Sequence, residues 1–219
     1  MAASGLLALD RYLALREKTG HAGRPLYTNG YLDHLDVLLS MSVDDHFQLW
    51  AQRKHFLGTY AFAILNREAL EALRQHAPIV EIGAGNGYWA YEMRKAGIDV
   101  QAYDSHPPHK RRNTYYGSHS GPHQPVKVWT PVLRGRAQKA KHRPKHTLFL
   151  CWPPYNEPMA NVALSSYTGS TLIYVGEGAG GCTGDDAFFE QLEQHWRCDQ
   201  VIPLPQWPGI HDRMEIYHR

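Results

Sequence analysis

A chain of 219 residues, 43% hydrophobic and 20% charged, has the balance of an ordinary globular domain and enough length for one sizeable core. Its formal charge of +2 is too small to name a partner, and its three cysteines, Cys151, Cys182 and Cys198, form no CxxC pair. That excludes a disulfide framework and a structural zinc site, and it suits a reducing, cytoplasmic setting.

The opening residues carry Asp10, Arg11, Arg16 and Glu17 too early for a signal peptide, and no run reaches ~18 uncharged apolar residues, so no targeting or membrane segment is expected. Leu6, Leu9, Tyr12 and Leu13 stand near helical spacing. Leu35, Leu38, Leu39, Val43, Phe47 and Trp50 repeat it across 33–55, which makes the first third helical. Asn66 is placed to cap one more helix that delivers the chain to Pro78. From there the pattern alternates: strand 78–83, helix 87–96, strand 99–103, a long polar loop, a short strand around Val128-Trp129, strand 147–152, helix 157–165, strand 171–176 and helix 185–196. Such alternation predicts an α/β, doubly wound, mainly parallel sheet. The last stretch sets two extended runs around Trp207-Pro208-Gly209, an antiparallel hairpin. The expected organisation is a single domain over 1–219, with a helical extension or lid at 1–77 and the α/β core at 78–219.

The stretch PIVEIGAGNGYWAYEMRKAGIDVQAYD, residues 78–104, joins the first strand to its helix through Gly83, Gly85 and Gly87. Glycines there let backbone N–H groups approach a ligand, and a carboxylate ending the second strand can hold ribose hydroxyls. Glu81 with the three glycines reads ExGxGxG, and Asp104 follows about 20 residues on. A dinucleotide fingerprint, GxGxxG, would put its third glycine where Tyr88 stands.

VEIGAGNGYWA followed by AYD resembles the first two motifs of the class I S-adenosylmethionine (SAM) dependent methyltransferases. The resemblance implies a Rossmann-like, seven-stranded, mainly parallel sheet whose C-terminal hairpin inserts an antiparallel strand. It also implies SAM as cofactor, with the glycine loop around its amino-acid end and an acidic residue on its ribose. On that footing Tyr60, Glu81, Gly83, Ala84, Gly85, Asn86, Gly87, Tyr88, Asp104, Ser105, Cys151 and Trp152 are expected to hold SAM, and no metal is expected. YAFAILNREAL, LFLCWPPYNEPMA, VGEGAGGCTGDDAFF and WPGIHDRMEIY are similar to a broadly distributed SAM-binding branch of the superfamily.

CWPPYNEPMA, after the fourth strand, resembles the (D/N)PP(Y/F) motif with which amino-methyltransferases grip a target nitrogen. Trp152 stands at the Asp/Asn position, and an indole donates a hydrogen bond but accepts none from an amine, which argues against base or amide methylation. Pro153-Pro154 would stiffen the loop, and Tyr155 would offer a ring to a sulfonium. Glu177 ends an apolar strand before a glycine-rich loop, as a general base, an ammonium anchor or a cap of its own loop. The candidate catalytic set is Glu177, Tyr155, Asn156 and Trp152. Tyr31, Tyr60 and Phe62, with the loop at 105–128, are the expected acceptor pocket. Six of the fourteen histidines fall within 105–146 without metal-ligand spacing, and the basic run RGRAQKAKHRPKH lacks the interleaved aromatics that binding to nucleic acid would want.

Three functions fit these residues. One is methyl transfer from SAM to a small molecule. Another is closure of SAM on its own amine to azetidine-2-carboxylate and methylthioadenosine, which needs no acceptor-gripping Asp or Asn. The third is SAM binding without chemistry. A monomer or homodimer with a small-molecule substrate is expected, with no nucleic-acid and no membrane partner.

Overall fold

The computed structural model describes residues 29–40, 46–108, 113, 115–116 and 126–219, so the helix read at Leu6–Leu13 lies outside the described residues. The helical run over 33–55 is two helices, α1 (Gly30–Ser40) and α2 (His46–Thr59), followed by α3 (Arg67–Gln75). Asn66 caps α3 as expected: its Oδ1 accepts the Ala69 N–H at 3.0 Å, while its amide donates to the Pro203 carbonyl at 3.0 Å. Asn66→Ala removes both ties and is expected to cost about 1–2 kcal/mol of stability, measured by urea unfolding.

From Pro78 the chain forms β1 (Ile79–Ile82), α4 (Tyr88–Lys95), β2 (Val100–Asp104), β3 (Leu133–Arg134), a 3-10 helix η1 (Ala137–His142) and β4 (Thr147–Cys151). It continues through α5 (Met159–Ser166), β5 (Thr171–Gly176), α6 (Asp186–His195), β6 (Arg197–Pro203) and β7 (Arg213–His218). The seven strands make one sheet in the order β3-β2-β1-β4-β5-β7-β6. The first five run parallel, and β7 lies antiparallel between β5 and β6. The closing hairpin is therefore inserted into the sheet, as the resemblance implies.

The third strand is a correction. It forms at Leu133–Arg134 rather than at Val128-Trp129. The Trp129 indole N–H donates to the Thr59 carbonyl at 2.6 Å and its ring stacks on Tyr60 with centroids 5.4 Å apart, so its apolar surface serves ring packing rather than strand pairing.

Strand residues alternate between two apolar layers. Ile79, Val100, Phe149, Ile173 and Ile216 face one core with Leu35, Phe56, Leu73 and Met93 of the first four helices. Val80, Leu148, Leu150, Leu172 and Tyr174 face the other, with Ala140 of η1, Leu164 of α5 and Phe188 of α6. By this period Glu81 shares the face of Ile79, which sets a carboxylate inside the first layer. The strand order reverses between β1 and β4, and a crevice opens beyond their carboxyl ends, where sheets of this kind take ligands.

Candidate active site at the glycine turn

The turn after β1 owes its path to glycine. Gly83, Gly85 and Gly87 have φ of +81°, +53° and +79°, the left-handed region where a side chain is strained. The N–H groups of Gly83 and Ala84 donate to the Tyr103 carbonyl at 2.8 and 3.0 Å, fixing the turn to β2. Asp104, at the end of β2, accepts the N–H groups of Gly85 at 2.9 Å and His106 at 2.8 Å. Burial pushes the Asp104 carboxyl up, and those two donors oppose it. Asn113 donates to the His106 carbonyl at 2.9 Å, and its Oδ1 accepts the N–H groups of Tyr115 and Tyr116. The Tyr116 ring lies so close over Gly85 that a Cβ there would stand 2.2 Å from its Cε2.

A cavity of about 380 Å³ opens above the turn. Of the expected cofactor and catalytic residues, Gly83, Gly85, Asp104, Ser105, Cys151, Trp152 and Tyr155 line it. Glu81, Ala84, Asn86 and Tyr88 line a smaller recess behind it, with Phe62 and Trp89. Gly83, Cys151, Trp152, Phe62 and Tyr116 are common to both. Gly87 packs instead against Thr130 and Val132 at the start of α4. Tyr60 and Tyr31, expected at the cofactor and the acceptor, lie in the aromatic core against Phe56, Tyr88 and Trp129, where large rings bury the most surface.

The recess holds two polar atoms with no partner among the described residues: Glu81 Oε2 and Trp89 Nε1. Glu81 is 2% exposed. Burial, with Asp104 adding to it and Arg94 opposing, pushes its carboxyl up to about 8.

Trp152 has a left-handed backbone, φ +51°, costly for a non-glycine residue and held by two ties. Its N–H donates to the Val175 carbonyl at 2.8 Å, and its indole donates to Asp212 Oδ1 at 2.7 Å. The ring stacks on Phe62 at 5.1 Å, with the Arg53 guanidinium 5.5 Å from its centroid. Sequence reading missed Asp212, which is 1% exposed; burial pushes its carboxyl up to about 7, against the Trp152 donor. The available signal was Trp152 itself, since a buried indole N–H requires an acceptor.

Of the remaining candidates, Tyr155 stands 59% exposed on the rim. Asn156 is exposed, with φ +54°, and its N–H closes the turn onto the Gly184 carbonyl at 2.9 Å. Glu177 accepts the N–H of Cys182 at 2.9 Å, the Cys182 thiol at 2.8 Å and the N–H of His211 at 2.8 Å. Partial burial pushes its carboxyl up, but these donors and the His211 ring outweigh that and hold it below the ordinary range. Both oxygens are thus engaged, Oε2 by Cys182 and Oε1 by His211. Among the described residues no cluster of three His, Cys, Asp or Glu is placed to hold a metal, and no helix is long and apolar enough to cross a membrane.

No protein-family model matches the chain, and no curated protein does. Solved structures do. Magnesium protoporphyrin IX methyltransferase (ChlM) from Synechocystis PCC 6803, with bound SAM, is similar over 88% of this chain and 100% of its own, at 12% identity and TM-score 0.45. The mitomycin 7-O-methyltransferase MmcR is similar over 80% and 68%, at 14% identity and TM-score 0.41. A variant of the 16S rRNA (adenine(1408)-N(1))-methyltransferase from Catenulisporales acidiphilia, with its cosubstrate SAM, is similar over 70% and 91%, at 12% identity and TM-score 0.36. The fold is Rossmann-like. The exclusion of nucleic acid does not stand: an rRNA enzyme is among these similar structures beside enzymes named for mitomycin and a porphyrin. A net charge of +2 averages over the chain and is blind to how its cations are distributed.

Proposed function

We propose that the chain binds SAM at the glycine turn and transfers its methyl group to an acceptor at the rim of the cleft. The observation that carries this reading is Glu81: a carboxylate enclosed in the fold whose Oε2 has no partner among the described residues, in a recess also lined by Trp89, whose indole N–H has none among them either. A buried carboxylate without a cation is costly. An amino-acid head supplies what the recess lacks, an ammonium for Glu81 and a carboxylate for Trp89. Asp104 Oδ2 keeps a lone pair for a ribose hydroxyl after accepting the Gly85 N–H, while Oδ1 already accepts the His106 N–H and, at 3.5 Å, the Asn113 amide. Phe62 and Trp152 give aromatic faces where a sulfonium would lie.

SAM, when bound, supplies an electrophilic methyl carbon. The chain's part is positioning. Trp152, fixed by Asp212, forms one wall, and Tyr155 stands at the mouth. With Glu177 engaged by its own loop, no free carboxylate is assigned as a base. A small molecule carrying its own nucleophile fits this arrangement, and so does a base of a longer strand that attacks through a ring nitrogen, which has no amine N–H for the position of Trp152 to accept.

Seating a ligand against Gly85 requires the Tyr116 ring to leave it. Tyr116→Ala is therefore expected to tighten SAM binding ~10-fold by removing the closed fraction, measured by calorimetry. The function itself is tested by incubating the protein with SAM alone and then with candidate acceptors. S-adenosylhomocysteine formed only once an acceptor is present supports transfer. Methylthioadenosine from SAM alone supports the cyclising alternative, and binding without turnover supports the non-catalytic one.

A further inference from the structure

The positive charge of this chain is gathered in one stretch. Between Asp104 and Glu157 the sequence has ten Lys and Arg and no carboxylate, so the other thirteen cations share the rest of the chain with all 21 acids. The near-neutral whole is thus a formal +10 beside −8. Described residues of this stretch line the cleft, among them Ser105, His106, Tyr115, Gly135, Ala137 and Tyr155. Lys127, Arg134, Arg136, Lys139, Lys141 and Lys145 are exposed along β3, η1 and their flanks. Among the described residues none of the six pairs with a carboxylate. Two rings stand out on the rim of the cleft, Tyr115 at 38% and Tyr155 at 59% exposure.

We infer that this rim is a docking face for single-stranded nucleic acid, with phosphates along the β3–η1 ridge and a base stacked on Tyr115 or Tyr155 at the mouth. Cations in a row neutralise phosphates and release counterions, and exposed rings take bases of any sequence. The aromatics that the basic run lacks in sequence are supplied in space by the loops after β2 and β4. A bilayer, or an acidic peptide without aromatic residues, would use the cations but offers no flat ring to a concave, tyrosine-edged cleft. That the stacked base is also the methyl acceptor rests on the SAM reading above; the docking face does not.

The test is fluorescence anisotropy with a labelled, mixed-sequence RNA of ~20 nucleotides, and the matching DNA, at about 50 and 200 mM salt. Binding is expected at low salt and should fall at least ~10-fold at the higher concentration. The triple variant Arg134→Glu, Arg136→Glu, Lys141→Glu should bind at least ~10-fold more weakly with a shallower salt slope, and it should keep its melting temperature and its SAM affinity. Tyr115→Ala should weaken binding about 10-fold and leave the slope unchanged, which separates stacking from charge. No binding at low salt would overturn the inference. So would equal affinity for heparin or phosphatidylserine vesicles together with no effect of Tyr115→Ala. Calorimetry with SAM on the same preparations keeps the two readings apart: oligonucleotide binding without SAM binding removes the proposed function alone, and the reverse removes the docking face alone.

Discussion

Glu81→Gln is expected to make the ligand-free protein more stable and its hold on SAM weaker, two changes of opposite benefit from one atom. Burial raises the Glu81 carboxyl from 4.5 to about 8, so the folded state holds this proton more tightly than the unfolded chain does. The stability tied to it is fully present below the ordinary glutamate range and is lost as pH rises through about 8. At about 1.4 kcal/mol per unit, the wild-type protein should lose on the order of 4 kcal/mol between mildly acidic and mildly alkaline solution from this group. A glutamine does not ionise, so the variant should show little of that decline in a pH series of urea unfolding. It also cannot pair with an ammonium as a charge. Its SAM affinity should fall about 10- to 100-fold, the range for a hydrogen bond to a charged group. SAM should therefore raise the melting temperature of the wild type most on the alkaline side, where the carboxylate is charged and otherwise uncompensated. A wild type whose stability ignores pH, with a variant that binds SAM equally well, would remove Glu81 from the site.

The elements that sequence reading found are those whose apolar period is not disturbed by function. Ile79-Val80 and Thr147–Cys151 are buried on both faces, so their runs read as strands of a parallel sheet. The Asn66 cap was legible because a cap is a local contact, here accepting the N–H three residues on. β3 could not be read that way: it pairs two residues with the end of β2, and both its side chains are exposed. The turn after β1 was legible because three glycines in five residues have few causes other than a left-handed path, which all three take. What lay beyond sequence was long-range partnership. Tyr60 is equally apolar as a pocket wall or as core, and its contacts with Tyr31 and Trp129 decided the matter. Glu177 is capped partly by His211, 34 residues away. The basic run has no aromatics of its own, and Tyr155, on the rim of the same cleft, comes from the loop after β4.

The same kind of partnership makes Asp212 the second position where a large effect is expected. Asp212→Ala leaves the half-buried Trp152 indole without its acceptor and removes a negative charge that favours the Arg53 guanidinium. The loss should be about 2–4 kcal/mol in urea unfolding. Asp212→Asn keeps a carbonyl oxygen where the indole donates and should cost roughly half as much. The pH dependence separates them further. Burial raises the Asp212 carboxyl from 3.8 to about 7, so the stability tied to its proton is present below the ordinary aspartate range and lost as pH passes through about 7. Asparagine abolishes that decline, and its deficit against the wild type should shrink in alkaline solution. Trp152 then links fold to site: its left-handed backbone keeps only the Val175 tie when Asp212 is gone, and the wall shared by cavity and recess loosens. Turnover should follow the order wild type, Asn, Ala. An alanine variant as stable and as active as the asparagine one would mean that the indole-to-carboxylate bond neither supports the fold nor sets the wall.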